Sequence, residues 1–409
     1  MKLSIRPAAS VALAVAVALA VGACGSSSGG SSSSGGSSSS GAQSGTAGLK
    51  APEANTPVPA SVGSGEGKLN LIAWEGYAQP QWVKPFESST GCQVSTKYAG
   101  SSSEMVSLMA NGGGGQYDLV SASGDADLRL IYAGDVKPIN ISLIPSWKDF
   151  HPFLQSPSFN TIDGKHYGVS YEFGPNVLLY STKAFAAAPT SWSVLYNKQY
   201  AGKVTVPDNP IQIADAALYL AKTQPSLGIT DPYELTQPQF DATISLLKQQ
   251  HPLIKKYWDL ASQEISLFQS GTTTVGAAWP YQTNSLIAAG AKVADTIPSQ
   301  GATGWADTWM LGTKAPHPNC AYKWMQWVTT PKVQAQQAIY FGETPANKLS
   351  CTIMDKMSKG SCAAYHANAP EAYFQTLKFW KTPLAQCGNG KNDCVPFQQW
   401  VSAWTQVIG

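Results

Sequence analysis

The sequence predicts an α/β protein of two lobes, each a mostly parallel sheet flanked by helices, and three observations carry that expectation. Strand-like and helix-like stretches alternate with short connections from Lys68 onward, the pattern of βαβ units. A second run of the same kind begins after Tyr180. Residues 68–409 are more than one ordinary lobe holds and suit two.

Residues 1–23 read as an export signal. Lys2 and Arg6 begin it, 7–21 is a nearly unbroken apolar run, and small residues lead to Cys24. Such a run is shorter than the ~20 residues that a membrane-spanning helix needs, so it is cut and not retained. Val21-Gly22-Ala23-Cys24 resembles the lipobox of bacterial lipoproteins, which implies acylation of Cys24 and cleavage just ahead of it. Residues 25–41 are almost only serine and glycine, and Pro52, Pro57 and Pro59 follow, so 24–67 is expected to be a flexible tether.

In the folded part, 68–74 alternates as a strand, 79–88 is a helix, 92–98 a strand, 103–110 a helix ended by the glycines 112–115, and 117–120 a buried strand. Ligands of such sheets bind beyond the carboxyl ends of the strands, here Trp74-Glu75-Gly76-Tyr77 and Ser121-Ala122-Ser123-Gly124-Asp125. The apolar stretches 167–171 and 176–180, joined by Glu172-Phe173-Gly174-Pro175, suit a crossing between lobes. In the second lobe a helix is expected to begin at 190–193, a strand to run over 203–206, and Asp208-Asn209-Pro210 to open a helix over 212–223. Further helices are expected over 236–250 and 264–269, with strands over 274–279 and 291–297. From Trp305 the chain returns to the first lobe, with helices over 319–328 and 332–340, and ends in an aromatic helix over 397–405. Lobe 1 is thus expected to comprise 68–172 and 298–409, lobe 2 173–297.

Lysine and arginine together number 27 against 25 acids, and loss of Lys2 and Arg6 with the signal brings the two level. No nucleic-acid face is indicated. Arg129 is the one arginine beyond the signal, which disfavours a ligand held by bidentate capture of a carboxylate or phosphate. Six cysteines remain besides Cys24, an even number outside the cell, and read as disulfides. Short loops favour Cys351–Cys362 and Cys387–Cys394, leaving Cys92–Cys320, among fifteen arithmetically allowed connectivities. The histidines are scattered singly, so neither a metal nor a cofactor is expected.

The ordered pieces Ile72-Ala73-Trp74-Glu75-Gly76-Tyr77, Tyr117-Asp118-Leu119-Val120, Thr190-Ser191-Trp192, Tyr200-Ala201-Gly202-Lys203, Ala277-Ala278-Trp279, Trp305-Ala306-Asp307 and 342–347 resemble the extracytoplasmic solute-binding proteins of ABC importers, in their spermidine/putrescine-binding branch. The resemblance implies a type II periplasmic-binding-protein-like fold, two lobes joined by hinge strands, and a monomer that delivers a small ligand to permease subunits on the outer face of the membrane. It also implies aromatic walls around an alkyl ammonium chain whose charged ends meet carboxylates. Carried over, Trp74, Glu75 and Tyr77 form the first aromatic loop, Ser123 and Asp125 the loop after the third strand, Trp279 a wall of the second lobe, and Trp305 with Asp307 an aromatic-plus-carboxylate pair. Two places depart from the branch: Asn209 and Gln212 stand where acids are usual at the second-lobe helix, and Glu343 where an aromatic is usual. Trp324, Trp327, Trp400 and Trp404 read as core packing. The rival ligands are a sugar or other neutral polar solute and ferric iron. An extracellular hydrolase is the remote alternative, since the one G-x-S-x-G match, 25–29, lies in the tether, where no nucleophile elbow forms.

Overall fold

The computed structural model describes residues 58–409. The described residues build two large sheets and a small antiparallel pair, Thr161–Ile162 with Lys165–His166. The first runs in the order Thr344–Pro345, Gly168–Pro175, Ala302–Gly312, Leu119–Ser123, Lys68–Ala73, Gln93–Tyr98, and Val136–Lys137 and Leu377–Phe379 also pair with Ala302–Gly312. The second runs Ile254–Trp258, Val204–Pro207, Val275–Ala278, Val177–Ser181, Val293–Thr296.

Lys68–Ala73 pairs in parallel with both Gln93–Tyr98 and Leu119–Ser123. Helices Pro80–Thr90 and Ser102–Met109 provide the crossovers that parallel pairing requires. Parallel pairing continues in the second sheet, where Val204–Pro207 is parallel to both Ile254–Trp258 and Val275–Ala278, and the exceptions are the crossing strands. Ala302–Gly312 is antiparallel to Leu119–Ser123 and to Gly168–Pro175, and in the second sheet Val177–Ser181 is antiparallel to both neighbours. These are strands by which the chain passes directly from one sheet to the other, with no helix to turn it around.

Only Asn176 separates Gly168–Pro175 from Val177–Ser181, so the outward crossing lies just beyond the expected boundary at 172. The returning strand begins at Ala302. Asn176 ties the two crossings together: its N–H donates to the Thr303 carbonyl at 2.8 Å and its Nδ2 to Thr303 Oγ1 at 2.7 Å. Thr303 Oγ1 in turn donates to the carboxylate of Asp215, in the first turn of helix Gln212–Thr223.

Two expectations about organisation are corrected. The C-terminal helix Phe397–Ile408, expected with lobe 1, packs on helix Gln237–Gln250 of the second lobe, with Trp400 and Trp404 in a core shared with Phe240, Ile244 and Leu247. The last stretch of the expected tether is also docked. Glu66 accepts hydrogen bonds from the backbone N–H groups of Asn319 and Cys320 at 2.9 Å each, so a residue ahead of the first strand caps helix Pro318–Val328. Gly63 and Pro59 are bound as well, to Asn319 and Asn140.

The three disulfides are Cys92–Cys320, Cys351–Cys362 and Cys387–Cys394, as the loop lengths suggest. The start at 190–193 proves to be the short 3-10 segment Trp192–Tyr196. Helices Gly124–Ala133 and Pro280–Ala288 were not expected. Both hide behind helix-poor openings, Gly124-Asp125 and Trp279-Pro280, although proline in the first turn loses no hydrogen bond there. Cys24 and the signal lie outside the described residues.

Candidate ligand-binding cleft

Strand register builds the floor. Asp307 stands opposite Ser123 on one side and opposite Glu172 on the other, so the three form a row across three adjacent strands. Side chains directly opposite in an antiparallel pair have Cβ atoms about 4.5–5.5 Å apart, and like charges there repel. Ser123 Oγ donates to Asp307 Oδ1 and the Tyr77 hydroxyl to Oδ2, which satisfies that carboxylate on both oxygens. Tyr77 is fixed by edge contacts with Tyr171 and Phe341, at ring separations of 5.2 and 5.0 Å. The turn that delivers it needs Gly76, whose φ is +98° and where a Cβ would lie 2.7 Å from Phe341. Glu343 follows helix Pro331–Phe341 and leads into Thr344–Pro345, whose Pro345 pairs with Glu172.

Over this floor lies a cleft enclosing about 950 Å³ of space, its open mouth included. First-lobe residues Trp74, Glu75, Tyr77, Ser123, Trp305, Asp307 and Glu343 line one side; Trp279, Tyr281 and 259–262 line the other. Trp305 has room because its cross-strand neighbour is Gly174, where a Cβ would come within 2.7 Å of the ring. Trp279 is held by an edge contact with the fully buried Trp258 at 4.9 Å.

The acids of the floor are far from their ordinary range. Burial pushes Asp307 up to about 7, against the pull of the Ser123 and Tyr77 hydroxyls. Burial drives Glu172 to about 8, with Asp307 adding to it and contact with Glu343 opposing. Glu343 is raised well above a normal glutamate by burial and by repulsion from Glu172 and Asp307. The lining residues include Glu75, Asp259, Asp307 and Glu343 and no lysine, arginine or histidine. The arrangement can hold a cation and flank it with indole faces; it contains no paired nucleophile and base.

Residues 81–359 match the family of bacterial extracellular solute-binding proteins. The chain belongs to that family. The solute-binding protein is 23% identical over 322 residues to a putrescine/agmatine-binding protein of Pseudomonas aeruginosa, an alignment covering 75% of this chain and 85% of that one. It is also 23% identical over 327 residues to the putrescine-binding periplasmic protein PotF of Escherichia coli, covering 76% and 86%. Among solved structures, the TpPotD lipoprotein of Treponema pallidum superposes with a TM-score of 0.67 at 19% identity, over 83% of this chain and 99% of that one. The fold is that of two-lobe periplasmic binding proteins.

The solute-binding protein brings Trp74, Glu75, Tyr77, Ser123, Trp279, Trp305, Asp307 and Glu343 to one cleft. Three other candidates lie elsewhere. Asp125 is buried in the first turn of its helix and accepts from Ser102 Oγ at 2.8 Å, with Arg129 nearby. Asn209 turns its Oδ1 back to the N–H of Ile211 at 3.1 Å, a local cap. Gln212 is buried beside Asp215 at the clasp between the crossings. Asp127, two residues beyond Asp125 on the same helix, is fully buried behind the floor and faces Asp307. Sequence reasoning missed Glu172, Leu260, Tyr281, Tyr340, Phe341 and Trp380. The one available signal was for Glu172, a single acid inside the apolar run Gly168–Pro175.

Proposed function

We propose that the protein is the substrate-binding component of an ABC importer, capturing a small organic cation between its lobes and passing it to the membrane permease. A polyamine such as putrescine or spermidine, or a related amine, is the ligand class. The observation that carries this reading is a cleft lined by acids and indoles with no basic side chain. Each aromatic face toward a desolvated cation contributes roughly 0.5–2 kcal/mol, and a carboxylate supplies the opposite charge. A neutral sugar would leave these acids unanswered. The relatives named for putrescine support the same class.

Isothermal titration with putrescine, spermidine, agmatine, neutral sugars and ferric iron tests the reading. An amine is expected to bind, and Asp307→Ala to weaken it by at least ~30-fold, since truncating one partner of a buried charge pair costs about 2–5 kcal/mol. Asp241→Ala, an exposed position on helix Gln237–Gln250, is the control. Tight binding of a sugar with indifference to every amine would sink the proposal.

The same reading has no catalytic step and puts the protein, as a monomer, on the outer face of the cell membrane, held by lipid on Cys24. Cys24→Ala is expected to release it into the medium or leave it unprocessed. Normal processing with unchanged membrane retention would count against the anchor.

A further inference from the structure

Glu172 has no role in the reading above, yet it is completely buried and neither of its carboxylate oxygens has a hydrogen-bond donor. Glu343, one residue ahead of the Thr344–Pro345 strand that pairs with Phe173 and Glu172, touches it; Glu343 is 5% exposed and lines the cleft while its Oε2 is sealed with no donor. Two carboxylates that meet in a dry interior without donors are tolerable only if a proton lies between them. The groups facing the pair offer no other remedy. The strand Ala302–Gly312 contributes Asp307, the turn after Lys68–Ala73 contributes Tyr77, and Tyr171 sits beside Glu172 on its own strand. Helix Gly124–Ala133 sets Asp127 and Asp125 against Asp307, and its Arg129 is spent on Asp125. On the opposite face of Gly168–Pro175 the ring of His151 packs on Phe173, away from the pair. Among the described residues no lysine, arginine or histidine faces Glu172 or Glu343.

Asp307 differs in kind, because Ser123 and Tyr77 already donate to both of its oxygens. Glu75 and Asp259 are exposed at the cleft's edge, and of its two buried carboxyls the one without a donor is Glu343. We infer that Glu343 is a second counter-charge for the ligand's cationic group beside Asp307, that Glu172 behind it shares its proton in the empty protein, and that capture of the cation expels this proton to solvent. The step balances: a cation enters, one proton leaves, and the pair gains one negative charge. Glu172 is then a positioning residue, acting on the ligand only through Glu343. This rests on the amine reading and adds to it a coupling between solute and proton.

The test is calorimetric titration of the intact solute-binding domain with putrescine and spermidine, in two buffers of different ionisation enthalpy, from about pH 6 to about pH 8. Wild type is expected to release on the order of one proton per ligand and so to bind about tenfold more tightly per pH unit, approaching a hundredfold across the range. Glu172→Gln, matching the size of the protonated acid, is expected to cut the release by half or more and to flatten the pH profile. Glu343→Gln is expected to lose affinity by ~30-fold or more, as for a buried charge pair broken on one side. Thermal melts verify that both variants fold, and either one alone suffices to decide. Equal proton release by wild type and Glu172→Gln, or full amine affinity in Glu343→Gln, overturns the inference while the amine reading stands. Failure of every amine to bind wild type overturns both.

Discussion

Asp307 and Glu172 are registered side by side in a dry sheet, and the ligand-free fold must keep such acids protonated at the expense of stability at higher pH. The sign follows from the raised values. With Asp307 near 7 and Glu172 near 8 in the folded chain, the folded state holds protons that the unfolded chain has already lost, so stability falls as pH rises through that range. His151, pushed down to about 4 by burial, acts oppositely, but only below the ordinary histidine range. The ligand-free protein is therefore expected to melt at a lower temperature at about pH 8.5 than at about pH 6.5, with amine restoring more at the higher pH. A melting temperature that climbs across that interval would contradict the buried acids. Asp307 was legible in the sequence because Trp305 two positions away marks the same strand face. Glu172 showed only as a lone acid in an apolar run, because its role depends on pairing with a strand far along the chain, which no local pattern encodes.

Elements were easier to find than to place. The pattern of Phe397–Ile408 announces an amphipathic helix, but nothing in it says that Trp400 and Trp404 meet Phe240 and Leu247 in place of a first-lobe partner. Trp404 Nε1 also donates to Asp208 at 2.8 Å, so the last helix holds the loop that opens helix Gln212–Thr223. Trp400 is fully buried, and Trp400→Ala is expected to cost about 3–5 kcal/mol, read as a loss of denaturation midpoint. If the helix were a loose appendage the midpoint would hardly move. Pro280 gave the opposite difficulty: it reads as a breaker after a strand, yet it occupies the first turn of Pro280–Ala288 and lets Trp279 stand at the helix entrance, in the cleft wall.

For the whole molecule, closure on a ligand requires that the ligand favour one arrangement of the lobes over another, which only contact with both can do. The cleft has lining residues from both sides, so small-angle scattering is expected to show compaction when amine is added; an unchanged radius at saturation would argue for a rigid receptor. The clasp of Asn176, Thr303 and Asp215 binds both crossings to the second lobe. Asp215→Asn is expected to weaken apparent amine affinity about 3–10-fold by depopulating the clasped arrangement, with no change in proton release, because no ligand contact is lost. Wild-type affinity in that variant would assign the clasp to stability alone. The docking of Glu66 on helix Pro318–Val328 bears on how the protein is handled. A soluble form trimmed to begin at Lys68, where the first strand starts, discards the capping carboxylate and uncovers Gly65's neighbour, the Cys92–Cys320 bridge. Trimmed at Val58 the chain keeps both, and is expected to melt a few degrees higher, as a helix cap worth about 1 kcal/mol provides.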